Sequence, residues 1–145
     1  MTGAEAVDTE ARDHEALQCY TIAHGDPAFI HQHVVDAWTA QRADARTKPI
    51  GLVFALIGLH LHVDKGISGK QVQHVHMTLA RERRPWPVLP LPADRGSITA
   101  STVMAAPAGA ERDRAIDAWC ASVWAAYSGS HAVVLDLLHR LWKPR

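Results

Sequence analysis

PIGLVFALIGLHL, at residues 49–61, is the longest apolar run in this chain of 145 residues. If it forms a helix from about residue 50 to residue 63, that helix is apolar on every side apart from its glycines. A helix of this kind is usually surrounded by other helices. The run is about two-thirds as long as a helix that spans a bilayer, and it ends in histidines. The sequence therefore predicts a central, buried helix and no contact with a membrane.

Helix signals dominate on both sides of this run, and no alternation of period two indicates a strand. A first helix is expected over roughly residues 9–23 and a second over residues 27–45. Asp26 is a suitable N-cap for the second helix, and Pro27 is a suitable first residue. Thr47 is expected to cap the central helix at its amino-terminal end.

Further signals follow the central helix. Gly66 is a natural carboxyl-terminal stop, and Ser68 opens a fourth helix with a capping-box pattern. A short helix is expected within residues 98–107, and a final one from residue 109 to about residue 142. The Ser-Gly-Ser sequence at residues 128–130 is expected to weaken or divide the final helix.

These signals predict one all-α domain over residues 1–145, an irregular bundle of about five helices around the helix at residues 50–63. The first eight residues are acidic or small and are expected to be disordered. Four prolines in the eight residues from Pro85 to Pro92 force an extended segment, because proline cannot continue a helix. We therefore expect an extended, proline-rich loop over residues 85–98.

The composition excludes several classes of protein. There are 15 Lys plus Arg and 15 Asp plus Glu, so the net charge is zero when the histidines are neutral. A general nucleic-acid binder needs a basic excess, so we expect no nucleic-acid partner. Cys19 and Cys120 are far apart and indicate neither a disulfide framework nor a zinc ribbon. The amino terminus lacks the apolar stretch of a signal peptide, which predicts a cytoplasmic protein and leaves a homo-oligomer open.

Three His-x-His pairs occur, at residues 31–33, 60–62 and 74–76. In a strand such a pair shares one face, but in a helix two residues span roughly 200°. All three pairs lie in predicted helices, so each pair can supply at most one histidine to the interior. The other histidine of each pair is expected to face solvent.

The inward candidates are His31, His60, His76 and His131, one from each of four helices. Helical bundles bind metals through inward side chains on facing helices, and histidine is a suitable ligand. Neutral imidazole binds zinc, which we expect first, and also copper, iron and nickel. Asp36 would then be the catalytic base beside a metal that polarises a substrate or activates water. The leading hypothesis is a histidine-rich metal-binding protein, with a metal-dependent enzyme acting on a small molecule as its extension.

Alternatives remain open. A histidine on an apolar face is more often hydrogen-bonded in the core than bound to metal, and Asp64 can simply be a partner of Lys65. One alternative function is a metal-free protein that binds or modifies a small molecule, in which His31 and His131 do acid–base or hydrogen-bonding work. Another is a helical interaction module. The expected pocket residues are Trp38, Gln41, Trp124 and Tyr127.

Two blocks, DPAFIHQHVVDAWTAQ at residues 26–41 and AWCASVWAAYSGSH at residues 118–131, resemble an uncharacterised bacterial family, domain of unknown function 5946. ALIGLHLHVDKG fits the block between them, so the resemblance covers most of the chain from about residue 17. Many family members begin with a CxxC segment, which this chain lacks. The resemblance implies no activity. It favours four of the candidates, His31, Asp36, Gln41 and His131.

Overall fold

Seven α-helices make up the described part of the chain, and no strand occurs there, which confirms the all-α prediction. The computed structural model describes residues 3–23 and 28–142, with side chains from residue 9 onward. The helices are α1 (Gly3–Ala23), α2 (His31–Gln41), α3 (Pro49–Val63), α4 (Gly69–Leu79), α5 (Ala100–Ala105), α6 (Ala110–Ala126) and α7 (His131–Leu141), with a 3₁₀ turn at Ser128–Ser130.

Helix α3 lies at the centre of the bundle, as its apolar sequence predicts. It packs against α2, α4, α6 and α7, and its residues 52, 53 and 55–61 are all buried. Gly58 makes the contact with α2 possible, because a Cβ at this position would overlap the carboxyl group of Asp36. No described helix combines the length and hydropathy needed to span a bilayer.

The amino-terminal part differs from the prediction in its boundaries. Helix α1 begins at Gly3, so residues 3–8, which were expected to be disordered, belong to a helix. Helix α2 begins at His31 instead of residue 27, because Phe29 has a positive φ of 59° that a continuous helix does not allow. The predicted N-cap and first residue, Asp26 and Pro27, lie outside the described residues.

Helix α2 also ends four residues early, at Gln41 instead of residue 45. The Arg95 guanidinium donates to the carbonyl oxygens of Gln41 and Ala43, at 3.1 Å for Gln41. These carbonyls are thereby satisfied without a further helical turn. The end of α2 is thus set by a residue from the distant proline-rich loop.

The ends of α3 and α4 are close to the prediction. Gly66, with a φ of 65°, follows α3, and its N–H donates to the His62 carbonyl at 3.0 Å. The Ser68 hydroxyl accepts the Gln71 N–H at 3.3 Å and caps α4. Thr47 does not cap α3, because its hydroxyl instead accepts the Asp44 N–H at 3.0 Å within the preceding turn.

The carboxyl-terminal half follows the predicted order. Residues 85–98 contain neither helix nor strand, and Leu89 anchors this loop in the core with 6% exposure. Thr99 and Thr102 form a capping box at the start of α5. The 3₁₀ turn at Ser128–Ser130 divides the final helix into α6 and α7, as the Ser-Gly-Ser sequence suggested.

Candidate functional site

The buried face of α2 carries His33 instead of His31. His33 is 4% exposed, whereas His31 is half-buried against α1, where its Nδ1 lies 3.0 Å from the Thr21 hydroxyl oxygen. The prediction that His31 faces the core is therefore wrong. Apolar residues lie on both sides of α2. Ala37 and Ala40 are fully buried, and their small side chains let the neighbouring helices approach α2 closely.

The other three inward candidates are buried or half-buried, but they do not share one environment. His76 Nε2 lies 2.7 Å from the Phe54 carbonyl oxygen, between α4 and α3. His60 and His131 both contact the indole of Trp124, with ring centroids 5.6 Å and 3.7 Å away. Of the four predicted ligands, only His60 and His131 therefore have a neighbour in common.

The imidazoles of each His-x-His pair have different surroundings, as the helical geometry predicts, but the expectation that the other histidine faces solvent holds only for His74, since His31 and His62 are half-buried. His62 stacks on His33 with 3.5 Å between ring centroids, and its Nε2 lies 2.8 Å from Asp117 Oδ1. His74 is exposed, whereas His76 faces α3. Among the side chains that the structure describes, no group of three or more His, Cys, Asp or Glu is arranged to hold a metal ion.

Asp36, the predicted catalytic base, is 3% exposed. Its Oδ1 accepts from the Gln32 amide at 3.0 Å, and its Oδ2 lies against Gly58 with no hydrogen-bond partner among the described residues. Burial raises the pKa of Asp36 well above its ordinary value of 3.8, although the Gln32 hydrogen bond lowers it in part. The folded protein therefore keeps this carboxyl group protonated at pH values at which an exposed aspartate is ionised.

Gln41 and Tyr127, two of the predicted pocket residues, hold the fold together. The Gln41 amide oxygen accepts from Trp119 Nε1 at 2.9 Å, and its amide nitrogen donates to the Ile98 carbonyl at 2.7 Å. The Tyr127 hydroxyl donates to the carbonyl oxygen of Ala40 at 2.6 Å. Both side chains therefore connect α2 to later parts of the chain.

Trp38, the third predicted pocket residue, lies between α2 and α1. Its ring stacks on His14 at a centroid distance of 3.9 Å, and the Arg42 guanidinium carbon lies 4.9 Å from the ring. Burial, and next the neighbouring His31, lowers the pKa of His14. Trp38 is thus part of a packed surface layer.

The fourth, Trp124, is the centre of a hydrogen-bonded group at the carboxyl-terminal end of α3. Its Nε1–H donates to Asp64 Oδ2 at 3.0 Å, and His60 Nδ1 lies 2.7 Å from the same oxygen. His131 stacks on the indole, and its Nε2 lies 2.8 Å from the Trp124 carbonyl oxygen. We call His60, Asp64, Trp124 and His131 the Trp124 cluster.

A groove adjoins the Trp124 cluster, between the α3–α4 turn and α7. It consists of two neighbouring cavities of about 470 and 480 Å³, which share Ile67 and Trp142. Its polar lining residues are His60, Lys65, Lys70, Gln71, His74 and His139. Its apolar lining residues are Leu61, Ile67, Val75, Leu135, Leu138 and Trp142. We call it the α4–α7 groove.

The local sequence explains the charge of this groove. Gly66 makes the turn from α3 to α4, and Lys65 and Lys70 stand on either side of that turn. Trp142 follows α7 directly, and its N–H donates to the Leu138 carbonyl at 2.8 Å. No Asp or Glu is among the lining residues. The groove therefore combines an apolar floor with basic groups.

Sequence reasoning missed most of this groove. It placed His60 inward correctly, but it left a pairing of Asp64 with Lys65 open as an alternative, and it assigned no role to Lys70 or Trp142. The signal for Asp64 was its spacing of four residues from His60, which puts both side chains on one face of a helix. Nothing in the sequence indicated that Trp142 would lie beside the α3–α4 turn.

The chain belongs to the family of unknown function DUF5946, whose sequence profile matches residues 9–128. The match includes Asp36, Gln41, His60 and Trp124, and it ends before His131. No curated protein and no solved structure gave a match. The family membership confirms the resemblance seen in the sequence and supplies no activity.

Proposed function

We propose that this protein binds a small amphipathic anion, a molecule with a carboxylate or phosphate group on an apolar body, in the α4–α7 groove. The observation that carries the proposal is that each of the two neighbouring cavities combines a lysine, Lys70 in one and Lys65 in the other, with an apolar floor and no acidic lining residue. This is the metal-free small-molecule function that the sequence left as an alternative, moved to a different set of residues.

The size and composition of the groove support this proposal. Ligand sites are concave, measure about 300–1,000 Å³, and combine a mostly apolar lining with a few polar groups. Each of the two cavities, at about 470 and 480 Å³, falls in this range. Because the whole chain has no net charge with neutral histidines, the basic character of the groove comes from its local arrangement. An apolar body would lie on Ile67 and Trp142, with its anionic group toward the lysines.

The other functions inferred from the sequence stay predictions. Zinc binding, with copper, iron or nickel as further options, would involve His31, His60, His76 and His131. In the structure each of these histidines has a different hydrogen-bond partner. Elemental analysis of protein purified without a histidine tag tests metal binding. An interaction module is compatible with Val133 and Leu135, which are 43% and 42% exposed on α7. A cytoplasmic location and the absence of a nucleic-acid partner are part of our proposal, in keeping with the balanced charge.

The proposal is tested by titration with 8-anilinonaphthalene-1-sulfonate, an amphipathic anion whose fluorescence rises in apolar surroundings. The Lys65→Gln/Lys70→Gln variant should bind the dye roughly tenfold more weakly, because two attractive charges near the sulfonate are removed. The affinity of the parent protein should also fall with added salt, which screens such charges.

Lys48→Gln is the matched control. Lys48 is an exposed lysine that precedes α3, at the end of that helix away from the groove. The control should bind the dye like the parent, and circular dichroism should show that all variants are folded. Equal affinity in the parent and in the double variant would refute the proposed site.

A further inference from the structure

The hydrogen bonds of the Trp124 cluster fix which nitrogen of His60 carries its proton. An indole N–H can only donate, so Asp64 Oδ2 acts as an acceptor toward Trp124, at 3.0 Å. The same oxygen lies 2.7 Å from His60 Nδ1. Since an ionised carboxylate can only accept, we assign the hydrogen of this second bond to His60 Nδ1. In the neutral ring, Nε2 is then left with a free lone pair.

His60 also borders the α4–α7 groove. It is 5% exposed, and no described group forms a hydrogen bond with its Nε2. Asp64 thus holds the ring orientation through Nδ1, while Nε2 has no hydrogen-bond partner among the described residues and the residue lines the groove. A carboxylate that orients a histidine through Nδ1 and stabilises its protonated form is the arrangement of a general base.

We infer that His60 is the general base of a hydrolytic reaction on esters of amphipathic anions bound in the α4–α7 groove. This inference rests on the proposed function, because the same groove must first hold the substrate. None of the lining residues has a hydroxyl or thiol group, and the inference takes water as the nucleophile, with His60 acting as its base. Lys65 and Lys70 hold the anionic end of the substrate.

The reaction balances without a cofactor. His60 Nε2 takes a proton from water as the water oxygen bonds to the ester carbonyl carbon. The tetrahedral intermediate then collapses, the carbon–oxygen bond to the alcohol breaks, and the imidazolium returns the proton to the leaving oxygen. Asp64 stabilises the imidazolium while it exists, and Trp124 holds Asp64 in place. Asp64 is therefore a positioning residue.

Two esters of matched length test the inference. The mono-4-nitrophenyl ester of adipic acid carries a terminal carboxylate, whereas 4-nitrophenyl hexanoate ends in a methyl group. The parent should hydrolyse the anionic ester with about tenfold higher kcat/KM than the neutral one, since only the anionic ester meets the lysines. The Lys65→Gln/Lys70→Gln variant should lose this preference. A solvent deuterium isotope effect above one is expected, because a proton moves in the step.

His60→Gln should lower kcat by about a hundredfold or more, the usual contribution of a general base. Asp64→Asn should lower kcat with little change in KM, because the residue orients the base and does not bind the substrate. His62→Gln is the matched control, a histidine that also pairs with an aspartate, Asp117, but lies outside the groove. It should hydrolyse both esters like the parent.

The outcome distinguishes this inference from the proposed function. If the dye binds and the anionic ester is hydrolysed no faster by the parent than by His60→Gln, the inference is wrong and the binding function stands. If neither dye nor ester is bound, both are wrong. Should His60→Gln fail to fold, His60→Ala with added imidazole replaces it. Hydrolysis faster than the same imidazole gives without protein supports a base at this position, and a rate no higher than that contradicts it.

Discussion

At the scale of single residues, Asp36 has the most unusual environment. It is the one buried carboxyl group among the described side chains, and burial raises its pKa well above the ordinary value of 3.8. The unfolded chain loses this proton near pH 3.8, whereas the folded protein retains it to higher pH. The stability that the protonated group contributes is therefore complete below pH 3.8 and is lost as the pH rises toward the raised pKa.

Asp36→Asn should consequently be at least as stable as the parent at neutral pH. Asparagine has nearly the same shape as the protonated acid and has no proton to lose. We expect a gain of roughly 1–3 kcal/mol at pH 7–8 that disappears near pH 4, measured by urea unfolding. Glu82→Gln, at an exposed position, should show no such change. A variant less stable than the parent at pH 7–8 but not near pH 4 would mean that the carboxyl group is needed in its ionised form.

Individual side chains were predictable where only one face of a helix is apolar. This condition holds for α4, and His76 was correctly placed inward and His74 outward. It fails for α2, where both sides carry apolar residues and the choice of His31 over His33 was wrong. Neighbouring helices cover the side of α2 that carries Ala37 and Ala40, and this packing decides which histidine is buried. A sequence pattern does not show which side of a helix its neighbours will cover.

At the scale of elements, the proline-rich loop is held by few but specific contacts. Trp86 meets the ring of Phe54 edge-on, with centroids 5.1 Å apart, and Leu89 is buried. Trp86→Ala should lower the free energy of unfolding by roughly 1–2 kcal/mol, or about 3–8 °C in Tm, because a half-buried ring is lost. Val88→Ala is the control, since Val88 is 84% exposed. Equal melting temperatures for Trp86→Ala and Val88→Ala would show that Trp86 does not anchor the loop.

Element boundaries were predictable where the signal is local. Ser68 and Gly66 act through their own backbone neighbours, and both were correctly assigned as a cap and a stop. The end of α2 depends on Arg95, which belongs to the proline-rich loop and donates to the carbonyl groups of Gln41 and Ala43. No local pattern in residues 31–45 contains this information, so the prediction carried the helix too far.

At the scale of the whole molecule, several half-buried histidines make the fold sensitive to acid. Burial lowers the pKa of His14, His31 and His76 below the ordinary value of 6.5. The unfolded chain therefore binds protons at a pH at which the folded chain does not, and stability is lost as the pH falls below 6.5. Because Asp36 acts in the opposite direction, the effect is best measured in Asp36→Asn. The urea midpoint should be lower at pH 5.5 than at pH 7, and a higher midpoint at pH 5.5 would contradict this assignment.

The composition and the central apolar helix sufficed to predict an all-α bundle, but the groove depends on distant parts of the chain. Lys65 and Lys70 lie near each other because a single turn, between α3 and α4, separates them. Trp142 lies beside this turn only because α7 packs against α3. The histidine pattern drew attention to a metal site. The arrangement of Asp64 and Trp124 around His60 depends on α6 packing against α3, and it carries our inference of acid–base chemistry, while metal binding stays a prediction.

The most direct test of the proposed site is a ¹H–¹⁵N chemical-shift titration with decanoate, a simple amphipathic anion. The account predicts that the largest shifts fall on the amides of residues 65–75 and 138–142 and on the indole N–H of Trp142. The amides of α1 and of the proline-rich loop should not shift. Shifts that are absent at decanoate concentrations below its micelle formation, or that concentrate around α1 and α2, would contradict binding in the α4–α7 groove.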